Sequence, residues 1–223
     1  MAVEPPSKRG PRERFRAQVR EEAKAVAERQ LAEGGPEALS LNAIAKELGM
    51  AGPGLYRYFA NRDTLLTELV IDAYRDLSTA VATPPAGGQG SPGDADARLA
   101  GFVAAYRGWA VAEPHRYRLL YRAPLPGYDA HSANLVEAAQ RAMDILLGVL
   151  NDLMSKRDAE TDPASDAASL AILLWARLHG LVSLEIEGNF SSMAINPAPL
   201  YELEVNDIVR RAREPHLSAK TPR

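Results

Sequence analysis

The chain has no cysteine, which excludes disulfides, thiolate metal sites and a thiol redox switch. Of its four histidines, His115, His131 and His179 lack any metal-ligand spacing, so no metal is expected. No stretch approaches the ~18 uninterrupted apolar residues of a membrane span, and none is expected. The N-terminus is rich in Pro, Lys and Arg and lacks an apolar core. It is therefore not a secretory signal, and a cytoplasmic location follows. A glycine-rich phosphate cradle after a strand and a nucleophile elbow are both missing. The carboxylate pairs Asp94/Asp96 and Glu185/Glu187 are two apart, which points them to different helix faces or leaves them in a linker. No acid–base pair emerges, so neither an enzyme nor a cofactor is expected. No run alternates at period two long enough to make a strand, and no internal repeat is visible.

What remains is helix. The 223 residues are 46% hydrophobic, enough to bury a sizeable core in a small and a larger unit. Phe15, Val19, Ala23, Val26, Ala27 and Leu31 form a first stripe, ended by Gly34-Gly35-Pro36. Thr83 to Asp96 holds three prolines and four glycines and reads as a flexible linker. Leu99, Phe102, Val103, Tyr106 and Trp109/Ala110 mark a helix stopped near Pro114, and His115 to Arg122 a short one. A Pro/Gly loop, Ala123 to His131, follows. Ser132 to Lys156 is a long helix with Leu135, Ala138, Ala139, Ala142, Leu146, Val149 and Leu153 on one face. Ala167 to Ile186 comes next, then Pro199 to about Arg213. Residues 1–11 are expected to be disordered when free, and the final ten to be frayed. The spacing predicts an all-α chain.

The most informative stretch is Ser40 to Leu66, SLNAIAKELGMAGPGLYRYFANRDTLL. Leu41, Ile44, Ala45 and Leu48 fall at i, i+3, i+4 and i+7, one face of a short helix. Ser40 stands at the N-cap, where its hydroxyl satisfies a free amide. Gly49 suits the left-handed position that ends a helix and turns the chain. Pro53 is tolerated in the first turn of the next helix. Leu55 and Phe59, four apart, pack that helix back on the first, leaving the polar ends of Tyr56, Arg57, Tyr58 and Arg62 outside. Asn61 caps a further helix with the stripe Leu65, Leu66, Leu69, Ala73 and Leu77. Two short helices joined by a glycine turn are the pattern of a helix-turn-helix DNA reader.

Val19 to about Val70 resembles the N-terminal domain of TetR-type transcriptional regulators. The matching pieces are Ser40-Leu41-x-x-Ile44-Ala45, Gly49-Met50-Ala51 and, most specifically, Leu55-Tyr56-x-Tyr58-Phe59-x-Asn61-x-x-x-Leu65-Leu66. The resemblance implies a three-helix DNA-binding domain over 12–75 and a helical ligand-binding and dimerisation domain over 98–213. It implies that the helix Gly52–Phe59 enters the major groove, with Gly52, Pro53 and Gly54 allowing close backbone approach. Ser40 and the amides at the start of its helix, with Leu41, would meet phosphate. Tyr56, Tyr58 and Arg62 match positions that contact the backbone or frame the groove, and Arg57 is the side chain suited to a guanine edge. The sequence departs from the pattern at Ala51-Gly52-Pro53-Gly54, where polar side chains often stand. Operator choice then rests on Arg57, thymine-methyl contacts, backbone approach or DNA shape.

Charge is divided in the same sense. Residues 1–20 carry a net +4 and residues 76–223 a net −4, within an overall −3. Positive charge at the reading end is what phosphate attraction requires, and Arg9 or Arg12 is expected to reach the minor groove or backbone.

For the second domain, the first half of Ala167–Ile186 is apolar nearly all round and needs cover on two sides. A second copy of the chain supplies it in proteins of this type, which pair through their last two helices. Leu173, Leu174, Arg177, Leu181, Tyr201, Val205 and Ile208 are placed near that homodimer interface. Trp175-x-x-x-His179-Gly180 and the loop at 123–128 resemble a C-terminal domain type marked by Trp, His and Gly. The family implies a small-molecule effector. Phe102, Tyr106, Trp109, Tyr117, Tyr121, Tyr128, Met143, Trp175 and His179 are the candidates for a mainly apolar pocket with a few polar tips, and plain core packing stays open for each. The function implied is a ligand-responsive regulator, a repressor released from a palindromic operator in double-stranded DNA. The alternative is a DNA-bound architectural or partner-recruiting protein without an effector.

Overall fold

The structure is a computed structural model that describes residues 10–83, 94–121, 129, 132–155 and 163–214, with side chains from 166 onward in the last stretch. Among these residues there is no strand. The elements are α1 (Pro11–Gly34), the 3-10 turn η1 (Pro36–Ala38), α2 (Leu41–Glu47), the 3-10 element η2 (Gly52–Arg57) and α3 (Arg62–Ala82). After them come α4 (Ala95–Ala112), α5 (Pro114–Tyr121), α6 (Ala133–Met154), α7 (Pro163–Ile186), α8 (Asn189–Ser192) and α9 (Ala198–Arg213). The chain divides into two compact units, Met1–Asp72 with Arg118–Ala130, and Ala73–Tyr117 with His131–Arg223. The Pro/Gly loop from 123 and the interior of the 83–96 linker lie outside the described residues, as do the tails 1–9 and 215–223.

The first unit is built as the periodicity predicts from Val19 on. Val19, Ala23, Val26, Ala27 and Leu31 of α1 are buried, as are Leu41, Ile44 and Ala45 of α2, Leu55, Phe59, and Leu65, Leu66 and Leu69 of α3. Each fully buried Leu, Ile or Phe contributes about 1.5–3 kcal/mol of transfer free energy. Phe15 is a correction: it continues the stripe in sequence but is 61% exposed, because the apolar cover over α1 reaches only as far as Val19. A second correction concerns the start. Pro11 is already helical, at the first position of α1, and Glu13 accepts the Gly10 amide at 3.2 Å. Proline is pre-set for that position, where its missing N–H costs nothing.

In the second unit α4 packs on α6, α7 and α9. Leu99, Phe102, Val103, Tyr106, Trp109 and Ala110 are buried along it. Asp94 caps it by accepting the Asp96 amide at 3.1 Å, so α4 takes in Ala95 and Asp96, the last two residues of the Thr83–Asp96 stretch read as linker. Charged pairs tie the helices where side chains emerge from the core. Arg98 meets Asp152 at 2.6 Å, Arg213 meets Asp96 at 2.6 Å, and Arg116 and the Trp109 indole share Asp76 at 2.8 and 3.0 Å.

Asp166–Ile186 is long and apolar enough, by length and composition, to cross a membrane, with a mean hydropathy of 1.6. Averaging carries it past a test that no uninterrupted run meets. In this structure it is a core helix: Ala167, Leu170, Ala171, Leu174, Leu178 and Val182 are buried. Arg177, at its middle, is held by Glu204 and Asp207 of α9 at 2.9 and 2.7 Å.

Candidate nucleic-acid interface

The turn between α2 and η2 is set by local chemistry. Ser40 Oγ accepts the Ala43 amide at 3.3 Å, and the Ser40 amide donates to Gln30 Oε1 of α1 at 2.9 Å. Gly49 adopts φ +67°, a conformation that costs a residue with a Cβ but not glycine. Its neighbour Met50 donates to Ala45 O at 2.8 Å. Ala51 occupies the N-cap of η2 without a side-chain bond. Asn61 caps α3, accepting the Thr64 amide at 2.8 Å.

The reading element is tighter than expected. Gly52–Arg57 is a six-residue 3-10 helix rather than an α-helix reaching Phe59. Pro53 lacks an amide and two glycines weaken helix propagation, so the i+3 pattern of a 3-10 turn takes over. The side chains divide as the spacing requires. Leu55 and Phe59 are completely buried, whereas Tyr56 and Arg57 are exposed and Tyr58 is half-buried.

The remaining predicted contacts are distributed unevenly. Arg12 is exposed in the first turn of α1, and Ser40 and Pro53 are exposed on either side of the turn. Gly52 is half-buried, with Asn42 Oδ1 3.4 Å from where its Cβ would stand. Leu41 turns inward, 5% exposed, and Gly54 is buried, with Met50 Cε 3.3 Å from a would-be Cβ. Leu41 and Gly54 therefore shape the surface from beneath. Arg62 is half-buried and donates to the Pro36 carbonyl of η1, so its guanidinium is spent on the fold. Arg9 lies outside the described residues.

Two arginines that the sequence showed only as charge prove to be structural. Arg20 of α1 donates to the Tyr58 carbonyl and pairs with Glu68 of α3, its guanidinium carbon 4.5 Å from the Phe59 ring centroid. Arg16 Nη2 lies 3.5 Å from the Arg57 carbonyl, and its guanidinium carbon 6.0 Å from the Tyr58 ring. Both reach across 38 or 41 residues of sequence, a pairing no local motif announces.

The predicted effector residues, of which Tyr121 and Tyr128 belong to the first unit and the others to the second, differ in burial. Phe102, Tyr106, Trp109 and Tyr117 are buried. Tyr121, Met143 and His179 are half-buried, and Trp175 is 38% exposed. Tyr128 lies outside the described residues. Tyr117 Oη is 2.7 Å from His179 Nδ1 and 3.1 Å from its carbonyl oxygen. The His179 ring stacks on both Tyr117 and Trp175, with centroids at 5.7 and 6.2 Å. Burial pushes the His179 imidazole below its ordinary pKa, favouring the neutral ring. A cleft of about 420 Å³ lies elsewhere, between Val103, Ala104 and Arg107 of α4 and Tyr201, Val205 and Asn206 of α9. None of the predicted effector residues lines it.

The predicted interface residues also divide. Leu174, Tyr201 and Ile208 are buried in the protomer's own core. Tyr201 donates to Glu185 Oε2 at 2.9 Å, and Arg107 grips the same carboxylate through two nitrogens. Burial first, then this bond to Glu185, pushes the Tyr201 phenol far above its usual range. Leu173, Arg177, Leu181 and Val205 are half-buried. The exposed apolar side chains of α7 are Ile172, at 60%, Trp175 and Leu184.

A glycine-turned helix pair locked by Leu55 and Phe59, with a tyrosine- and arginine-bearing edge outward, defines the class: a helix-turn-helix DNA-binding protein. Residues 25–69 match the family described as bacterial regulatory proteins, tetR family. Residues 99–208 match the tetracyclin repressor-like C-terminal domain. The chain is 30% identical to the HTH-type transcriptional regulators Rv1816 of Mycobacterium tuberculosis and Mb1846 of Mycobacterium bovis, over 90% of this chain and 94% of theirs. The crystal structure of the regulatory protein SCO4313 is similar at a TM-score of 0.72 with 39% identity, over 89% of this chain and 98% of that one. A protein of unknown function from Rhodococcus sp. RHA1 shares the fold at a TM-score of 0.70 and 23% identity, over 93% and 98%. The chain belongs to the TetR family of transcriptional regulators. It binds DNA through its helix-turn-helix unit and is not an enzyme.

Proposed function

We propose that this regulator is a cytoplasmic homodimeric repressor that leaves a palindromic operator when a small, mainly apolar molecule binds its second unit. The observation that carries the DNA half is the outward edge of η2. Tyr56 and Arg57 are exposed, as is the N-cap Ser40 of α2, while Leu55 and Phe59 are completely buried. In this reading Arg57 meets a base edge, Tyr56, Tyr58 and Ser40 meet the backbone, and Arg12 adds a phosphate or minor-groove contact. Ala51-Gly52-Pro53-Gly54 supplies no donor side chain, so DNA shape carries part of the selectivity.

The apolar face of α7 supports pairing of two copies, with Leu173, Leu181 and Val205 joining Ile172 and Leu184 there. Two heads related by a twofold axis place their reading elements about 34–36 Å apart, one turn of DNA. The effector is assigned to the aromatic set around Tyr117, His179 and Trp175, which runs from core to surface and offers a neutral imidazole among apolar rings. Its effect on DNA affinity equals its differential affinity for the two dimer states and no more.

Selection of bound duplexes from a random pool tests the reading. A palindromic site with half-sites one helical turn apart is expected. Enrichment of bent or unrelated sequences without twofold symmetry would instead favour an architectural protein.

A further inference from the structure

The reading element is poorly equipped to hold its own position. It is a six-residue 3-10 helix with no side-chain N-cap and with Gly-Pro-Gly in its first three places. Such turns have weaker hydrogen-bond geometry than α-helices, and the two glycines add backbone freedom. Its C-terminal end is where the side chains meant for DNA are carried, at Tyr56, Arg57 and Tyr58.

We infer that Arg20 is a positioning residue for sequence reading: it clamps the end of the reading element from α1 and does not neutralise a phosphate. Its guanidinium is engaged on three sides. One nitrogen donates to the Tyr58 carbonyl, another meets Glu68 of α3, and the guanidinium carbon lies over the Phe59 ring. The last carbonyls of a helix carry partial negative charge and lack intrahelical donors, so a cation there is stabilising. A planar fork can serve a carbonyl, a carboxylate and a ring at once, which a lysine ammonium cannot. Arg20 thus binds the end of the reading element to the two longest helices of the head. Arg16 repeats the contact more weakly, one turn earlier on α1, at the Arg57 carbonyl. Arg12 and Arg14 are exposed at the start of α1 and are placed to supply the phosphate charge instead. A side chain about 1 Å out of place is enough to spoil a recognition geometry, so the clamp acts on discrimination more than on attraction.

The inference rests on the DNA-reading assignment above, and the test separates the two. Wild type, Arg20→Gln and Arg20→Lys are measured as full chains against a duplex enriched by the wild type from a random pool and against a scrambled duplex of the same length. The ratio of the two affinities, the slope of log affinity on log salt, and the thermal midpoint are read together. Arg20→Gln is expected to lower the ratio about tenfold or more, with Arg20→Lys between it and wild type. The salt slope is expected to stay within about half a unit of wild type, since no phosphate contact is lost. A slope reduced by about one with an unchanged ratio makes Arg20 a phosphate ligand and overturns the inference. So does a fall of both affinities in proportion, tracking the thermal midpoint, in the folded Arg20→Lys variant. If the wild type enriches no duplex, the DNA-reading assignment fails first and this inference with it.

Discussion

At the scale of single residues, the head separates exposed side chains proposed to meet DNA from those that set the geometry. Arg57 is exposed and engages the fold through its carbonyl rather than its guanidinium. Arg57→Ala is expected to cost about 1–3 kcal/mol on the selected site and to relax preference at one position per half-site. Equal weakening on all duplexes in a binding assay would move Arg57 to the backbone class. Gly49 is the converse case. Its φ of +67° is a left-handed conformation, and a Cβ there would meet nothing within 4 Å. The cost of Gly49→Ala is therefore purely conformational, about 1–2 kcal/mol, and Gly49→Asn should cost less because Asn tolerates that region. Equal losses for the two in thermal unfolding would point to a packing role the open space does not provide. The Gly49 turn, the Ser40 and Asn61 caps and the Leu55/Phe59 lock were all legible in the sequence, because each is written in neighbours three or four residues apart. Arg20 and Arg62 were not. Charge alone cannot tell a guanidinium aimed at phosphate from one folded back onto a carbonyl of the same chain.

At the scale of elements, hydrophobic period located the helices to within a few residues, and failed where a different force decides. Phe15 continues the stripe of α1 but has no facing element to cover it, so it stands 61% exposed. The reading helix became a 3-10 turn because Pro53 and two glycines override a favourable Leu55/Phe59 spacing. Four-residue α8 carries too little sequence to show a period at all. The contact between α7 and α9 combines a buried apolar seam with an ionic cluster: Arg177 meets Glu204 and Asp207, and Arg211 meets Asp207 at 2.7 Å. Hydrogen bonds from Arg177 and Arg211 hold the Asp207 carboxyl at about 2, below its ordinary 3.8. A group depressed in this way stabilises the folded chain above its unfolded value and loses that contribution as pH falls through the folded one. Asp207→Asn should therefore lower the thermal midpoint near neutrality, by on the order of 1 kcal/mol after solvent screening. The gap to wild type should close between about pH 4 and pH 2. A gap of constant size down to pH 2, followed by circular dichroism, would show that Asp207 acts through packing and not through its charge.

At the scale of the whole molecule, the apolar surface of α7 and the shortage of base-reading donors in η2 point to the same solution. In the proposed reading one head, with Arg57 as its chief base contact, offers modest affinity and little discrimination. Linking two heads makes the second contact intramolecular and raises affinity by roughly 10²–10⁴ without any new side chain. That gain requires a stable pair, and α7 leaves Ile172 60% exposed with Leu184 44% exposed, on a helix whose other side is core. Exposed apolar side chains on such a helix are candidates for an interaction site. Ile172→Glu would place a charge on that face while leaving the buried residues Leu170, Leu174 and Leu178 untouched. The wild type is expected to sediment as a dimer whose thermal midpoint rises with concentration, and the variant as a monomer at micromolar concentration. Its affinity for a full palindromic duplex should fall by about 10²-fold or more, while its affinity for an isolated half-site stays at the wild-type level. Loss of half-site binding as well would report a damaged head. An Ile172→Glu protein that remained dimeric and kept its full-site affinity would place the pairing surface elsewhere on the second unit.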